Sequence, residues 1–275
     1  SLILRSLDDK LKHVSFCRSK PQRITTFMTI NTLIDGAIAE VVVDRPPVNA
    51  LDSKGWFELA RTIEAAGQTS SVCAVILRAE GRGFNAGVDL KACQNSPGHD
   101  ELLAVNTACF AAFKAVYECE VPVIAAVHGY CLGGGIGLVG NADLVVASSD
   151  ATFGLPEVDR GALGGATQLA RLVPTPQRLR SLVFTGERIG AEELSRYGSI
   201  QSVVEPSALR EEAMRWAAKL AAKDPKVLRA AKSCLNGIDP VDVHRSYRYE
   251  QGYTFELNLS GHGDEARDAF VSTKE

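Results

Sequence analysis

Val121-Pro122-Val123-Ile124-Ala125-Ala126-Val127 is an unbroken apolar run, and His128-Gly129-Tyr130-Cys131-Leu132-Gly133-Gly134-Gly135 follows it directly. A run of this kind reads as a strand buried on both faces, as strands of parallel sheets are. The triple glycine then reads as a strand-to-helix turn with a short helix behind it. N–H groups at such a helix start lack an intrahelical partner and sit at the positive end of the dipole. They can stabilise a developing negative oxygen. Glycines at a strand–helix turn serve close packing about as often, so the turn alone decides nothing.

The same pattern recurs on both sides. Upstream, Asn31-Thr32-Leu33-Ile34 and Ala37 through Val43 flank Asp35-Gly36, a dipeptide suited to a two-residue hairpin turn. Asp52 is placed to cap a helix whose apolar face carries Trp56, Leu59, Ala60 and Ile63. Val72 through Leu77 is a second buried strand, followed by a glycine-bearing turn from Gly81 to Gly87 and helical spacing over 101–118. Leu144 to Ala147 is a third. Strand, glycine-rich turn and helix return roughly every 40–50 residues, which predicts an α/β layered domain with a repeated ββα turn. From about residue 190 strands are expected to stop. Ala191–Tyr197, Ala208–Ala222, Lys226–Asn236 and Pro240–Leu259 read as helices packed on the core. The expected organisation is an N-terminal extension over 1–29, a core over 30–190 and a helical module over 191–275.

Composition narrows the function classes. The 275 residues carry a net charge of −3, from 30 basic and 33 acidic side chains, which does not suit a dedicated nucleic-acid or membrane-surface binder. No apolar stretch is long enough for a membrane span. Seven cysteines without regular spacing argue against a disulfide framework and for a reducing, cytoplasmic setting. No zinc-type spacing appears, so no metal is expected. Arg5, Lys10, Lys12, Arg18, Lys20 and Arg23 against Asp8 and Asp9 make the extension basic, and it is expected to be mobile. The later run Arg215, Lys219, Lys223, Lys226, Arg229, Lys232 reads as a solvated helix face, with contact to phosphates as the alternative.

Two further segments can carry chemistry. Phe84-Asn85-Ala86-Gly87-Val88-Asp89 is a second glycine turn, and neither turn is a phosphate loop. Thr152-Phe153-Gly154-Leu155-Pro156-Glu157-Val158-Asp159-Arg160-Gly161 sets a carboxylate beside proline among apolar residues. Such a carboxylate is a candidate general base with a raised pKa, or simply a solvated loop acid. Asp89 suits a helix cap, and Cys131 suits core packing better than nucleophilic work.

Asn49-Ala50-Leu51, Ala86-Gly87-Val88-Asp89-Leu90, the Pro122–Gly135 run and Phe153-Gly154-Leu155-Pro156-Glu157 stand in the order and spacing of the enoyl-CoA hydratase/isomerase (crotonase) superfamily. Asp264 through Phe270 resembles that family's closing helix. The resemblance covers about residues 30–272. It implies a spiral of ββα repeats with a C-terminal helical trimerisation module, and a homotrimer or a hexamer of two trimers. It also implies an acyl-CoA substrate, with coenzyme A entering as part of that substrate and no separate cofactor. The thioester oxygen would lie between the backbone N–H groups of Val88 and Gly134, and Glu157 would be the catalytic carboxylate. Ala86, Val88, Asp89, Leu90, Lys91, Gly134 and Arg160 would contact substrate or CoA.

The departures sharpen the reading. Two-carboxylate hydratases of the family carry a first Glu where this chain has Gly137. One carboxylate suffices to shuttle a proton between carbons, or to act as base toward water in a C–C hydrolase. Position 137 is expected to face the pocket. Arg160, the short turn Gly161–Thr167 and the segment Glu250–Leu259 resemble the actinobacterial branch whose members open the last rings of degraded steroids as CoA thioesters. Ring-opening hydrolysis of a cyclic oxo-acyl-CoA is therefore the leading expectation, with enoyl-CoA isomerase or hydratase second. A non-catalytic scaffold or RNA-binding member is the reading from another class.

Overall fold

The computed structural model describes residues 30–96 and 98–272, so the expectation about the N-terminal extension lies outside the described residues. The hairpin forms as read: β1 (Ile30–Asp35) and β2 (Ile38–Val43) pair antiparallel from Ile30↔Val43 to Asp35↔Ile38. Gly36 takes φ +58° in the turn between them. β3 (Ala74–Ala79), β4 (Val123–Val127) and β6 (Leu144–Ser148) add in parallel, giving the order β1-β2-β3-β4-β6-β9.

β9 (Ser202–Val204) corrects the expectation that strands stop near 190, since it pairs parallel with β6 at the sheet edge. Three residues are too few to establish a period, which is why the sequence pattern passes over it. A second sheet holds β5 (Tyr130–Leu132), β7 (Thr152–Gly154) and β8 (Arg188–Gly190).

Alternation along the strands builds two cores. Val75, Leu77, Val123, Ala125 and Val127 face the larger cluster, with Trp56, Leu59 and Ile63 of helix α1 (Ser53–Gln68). Ala74, Ile76, Ile124 and Ala126 face the other way and meet Leu209, Ala213 and Ala217. The short helices α2 (Leu90–Gln94) and α4 (Gly134–Val139), with the long α3 (Asp100–Tyr117) between them, follow the turns of the spiral. α5 (Ala166–Ala170), α6 (Pro176–Thr185) and α7 (Ala191–Arg196) come next, and α6 is a helix the sequence reading leaves unassigned. α8 (Leu209–Ala221) covers the second face of the large sheet. α9 (Pro225–Ile238), α10 (Val243–Leu259) and α11 (His262–Ser272) complete the chain.

The basic run is not one uniform solvated face. Lys232 is buried and ion-pairs with Asp143 at 2.6 Å, while Arg229 pairs with Glu120 and Arg215 with Glu212. Lys219 lies over the Trp216 ring at 3.9 Å. Among the described residues no helix is long and apolar enough to cross a membrane.

Candidate active site

Three chain segments reach the site side by side. β5 and β7 run parallel, with Cys131 opposite Phe153, and Asn85 bridges Cys131 on the other flank. Their carboxyl ends therefore deliver the 84–89 turn, the triple glycine and the Glu157 segment to one place. Ligand crevices of open α/β sheets lie at such strand ends.

Val88 forms a parallel bridge with Leu51, in which the Leu51 N–H donates to Gly87 O and the Asp89 N–H to Leu51 O. That pattern spends the amides on either side of Val88 and leaves its own N–H pointing away. Gly134 is the first residue of α4, so its N–H has no helical acceptor. Among the described residues neither N–H has a hydrogen-bond acceptor. The two turns touch: a Cβ on Gly87, where φ is +88°, would sit 3.1 Å from the Gly134 nitrogen. Gly133, at φ +55°, gives way to Glu157, whose Oε1 would lie 2.5 Å from a Cβ there.

Two asparagines hold these turns, and the sequence reading assigns them no role. Asn85 donates to Asn49 O and accepts the Gly87 N–H at 2.8 Å. Asn49, in the left-handed region at φ +55°, donates to Glu80 O and Gly83 O and accepts the Arg45 N–H. The available signal is local, since asparagine tolerates the left-handed region and closes turns through its own side chain.

Glu157 stands on a 3-10 turn, Pro156–Arg160. The residue is half-buried, but its Oε2 is shut off from water without a hydrogen-bond partner. Burial pushes its pKa up to about 7, against the opposing charge of Arg160. A carboxyl so poised can take and return a proton near neutral pH. It faces an inner chamber lined by Ala86, Val88, Leu90, Gly134 and Arg160, and by Cys109, Phe113 and Tyr247, none of which the sequence reading places there. Asp89 and Lys91 lie instead on an adjoining outer cleft with Pro46, Pro47 and Arg188. Asp89 also caps α2, accepting from Lys91 N and Ala92 N. Cys131 packs in the core, where burial drives its pKa far up.

Position 137 does not open onto the chamber. A Cβ there would lie 2.0 Å from Phe113 Cζ, and Phe113 is locked against Trp56 and Tyr247 with ring centroids 5.8 and 5.0 Å away. The place expected for a pocket-facing side chain is an aromatic wall. Arg160 closes no ion pair among the described residues, with Asp159 or with Glu157. Its guanidinium lies over the Phe270 ring at 4.3 Å. Among the described residues no group of three or more His, Cys, Asp or Glu is gathered to hold a metal ion.

The family model for enoyl-CoA hydratase/isomerase matches residues 34–272. The chain belongs to that family. Its fold is the crotonase-type ββα spiral with a C-terminal helical region. An enoyl-CoA hydratase/isomerase structure from Xanthobacter autotrophicus superimposes with a TM-score of 0.80 at 28% identity, covering 90% of this chain and 93% of that one. Within the family, the chain is similar to the (7aS)-7a-methyl-1,5-dioxo-2,3,5,6,7,7a-hexahydro-1H-indene-carboxyl-CoA hydrolase of Rhodococcus jostii. The two are 58% identical over 247 residues, 90% of this chain and 95% of the relative. The hydrolase of the same name from Mycobacterium tuberculosis is 59% identical over 241 residues, 88% and 97% of the two chains.

Proposed function

We propose that this chain is a hydrolase that opens a ring of a bicyclic dioxo-acyl-CoA by cleaving a carbon–carbon bond. One observation carries the reading: Glu157 is the one carboxyl among the described residues lining the chamber, it stands at two unpartnered N–H groups, and Phe113 fills the space at position 137. Identity of 58–59% to two hydrolases across nearly their whole length supports the substrate class.

The chemistry follows from the substrate's bonding. In a 7a-methyl-1,5-dioxo-hexahydroindene the remaining ring alkene is conjugated with the 5-oxo group, and the 1-oxo carbon is joined to the quaternary carbon 7a. Water, deprotonated by Glu157, adds to the 1-oxo carbon. The bond to carbon 7a then breaks, and its electron pair spreads through the alkene into the carbonyl system. Val88 and Gly134 N–H groups hold the thioester oxygen as charge arrives there, and loss of one such donor costs about 3–4 kcal/mol. Glu157 returns the proton to carbon. Water is consumed, and a ring ketone becomes a carboxylic acid.

Ala86, Asp89, Leu90 and Lys91 are assigned to the CoA side, along the outer cleft. Coenzyme A enters with the substrate, and no other cofactor is invoked. The assembly is proposed to be a homotrimer or a hexamer of two trimers, working in the cytoplasm without nucleic acid.

The test uses the bicyclic dioxo-acyl-CoA in ¹⁸O-labelled water. The expected product keeps its thioester and carries one labelled oxygen in a new carboxylate. Glu157→Gln should lower turnover about 10²–10⁴-fold with binding nearly unchanged. Release of free CoA thiol would mean thioester hydrolysis instead. Rapid hydration of crotonyl-CoA without Glu157 would return the site to a hydratase.

A further inference from the structure

Water addition to a ring ketone makes two negative oxygens in sequence, at different places. The Val88 and Gly134 N–H groups can serve the thioester side, but the first charge appears on the ketone oxygen, close to the base that activated the water. Arg160 is positioned for it. On a 3-10 helix side chains at i and i+3 eclipse, so Arg160 rises from the same face of the Pro156–Arg160 turn as Glu157. It borders both the inner chamber and the outer cleft, a position shared, among the described residues, only with Ala86, Val88 and Leu90.

Its guanidinium is held over Phe270, yet its Nε is buried with no partner. An unspent charged donor in such a place is costly unless an anion arrives. The other guanidinium on the chamber, Arg267, is already paired with Asp264.

Building on the hydrolase reading, we propose that Arg160 is a second oxyanion site, which stabilises the alkoxide formed at the ring ketone and then holds the carboxylate that replaces it. As the water oxygen bonds to the carbonyl carbon, the water proton passes to Glu157 and the carbonyl π pair moves onto oxygen beside Arg160. When that pair re-forms the C=O bond, the ring bond breaks and its electrons leave through the conjugated alkene. Glu157 protonates the carbanion carbon. The new carboxylic acid ionises against the same guanidinium, with its proton going to solvent.

The experiment compares two reactions that share Glu157 and the N–H pair. One is ring hydrolysis. The other is γ-proton exchange of a straight-chain 2-enoyl-CoA in D₂O, which forms a dienolate but no alkoxide. Arg160→Met should lower the high-pH plateau of kcat for ring hydrolysis about 10²–10³-fold, while exchange, read on its own high-pH plateau, changes less than about threefold. Arg160→Lys should recover part of the loss, and product inhibition should weaken in Arg160→Met. If both reactions fall together, or neither falls, Arg160 is not an oxyanion site. Circular dichroism and urea unfolding report separately whether each variant has folded. Wild-type protein that exchanges protons but does not open the ring would sink the hydrolase reading, and this role with it.

Discussion

Glu157 and Glu250 are both withdrawn from water, and their surroundings set them to opposite work. Glu250, on α10, reaches the start of α5 and accepts from Ala166 N at 2.8 Å, Thr167 N at 2.7 Å and the Thr167 hydroxyl. Burial raises its pKa, and those three bonds pull it back. Glu157 has burial with its Oε2 unpartnered, and the charge of Arg160, with a smaller backbone hydrogen-bond contribution, falls short of cancelling the rise to about 7. A satisfied buried carboxylate is a structural tie, while an unsatisfied one is a reagent whose charge is expensive.

The largest expected effect comes from adding a third carboxyl with neither donors nor room. Gly137→Glu drives a side chain into Phe113, which Trp56 and Tyr247 hold in place. Overpacking costs about 1–3 kcal/mol, and burying an unpaired polar group adds a comparable amount. The variant should unfold at markedly lower denaturant concentration, and Phe113→Ala in the same chain should restore part of the loss. Hydratase activity in the single variant at wild-type stability would show that position 137 has room after all.

The second effect separates the two carboxyls by pH. A folded-state pKa of about 7, against an ordinary 4.5, means that Glu157 favours folding fully below pH 4.5. That contribution is lost as pH rises through about 7, and amounts to about 3 kcal/mol. Glu157→Gln removes the ionisation. Its stability relative to wild type should therefore grow between pH 4.5 and 8, as urea unfolding at both values would reveal. No growth would mean that Glu157 ionises freely. Wild-type kcat/KM should rise through about pH 7 as the base forms.

Much of this was legible in the sequence because local rules governed it. The Asp35-Gly36 hairpin, the strand into the triple glycine, the caps at Asp52 and Asp89, and the placement of Glu157 after proline all follow from turn chemistry and apolar runs. What escaped depends on long-range packing. Phe113 reads as one more apolar residue of α3, and only the close approach of α4 makes it the wall at position 137. Lys232 reads as solvated because its partner Asp143 lies 89 positions away. Glu250 belongs to a segment noted as unusual, yet its partners, Ala166 and Thr167, lie more than 80 residues earlier.

The smallest effect tests that tie directly. Glu250→Gln keeps the size of the side chain but replaces one acceptor oxygen with an NH₂ group, which must then face an N–H or hydroxyl of Ala166 or Thr167. The expected cost is about 1–3 kcal/mol of stability, the usual penalty for stranding buried donors. The same change removes a negative charge that helps to raise Glu157. The low-pH limb of kcat/KM should therefore move to lower pH, opposite to its upward move in Arg160→Met. A Glu250→Gln variant that is less stable, with its limb displaced downward and its plateau rate held within severalfold, fits a structural carboxylate that acts on Glu157 only through charge. A plateau that collapses as in Glu157→Gln would instead make Glu250 a participant in the reaction and erase the contrast between the two.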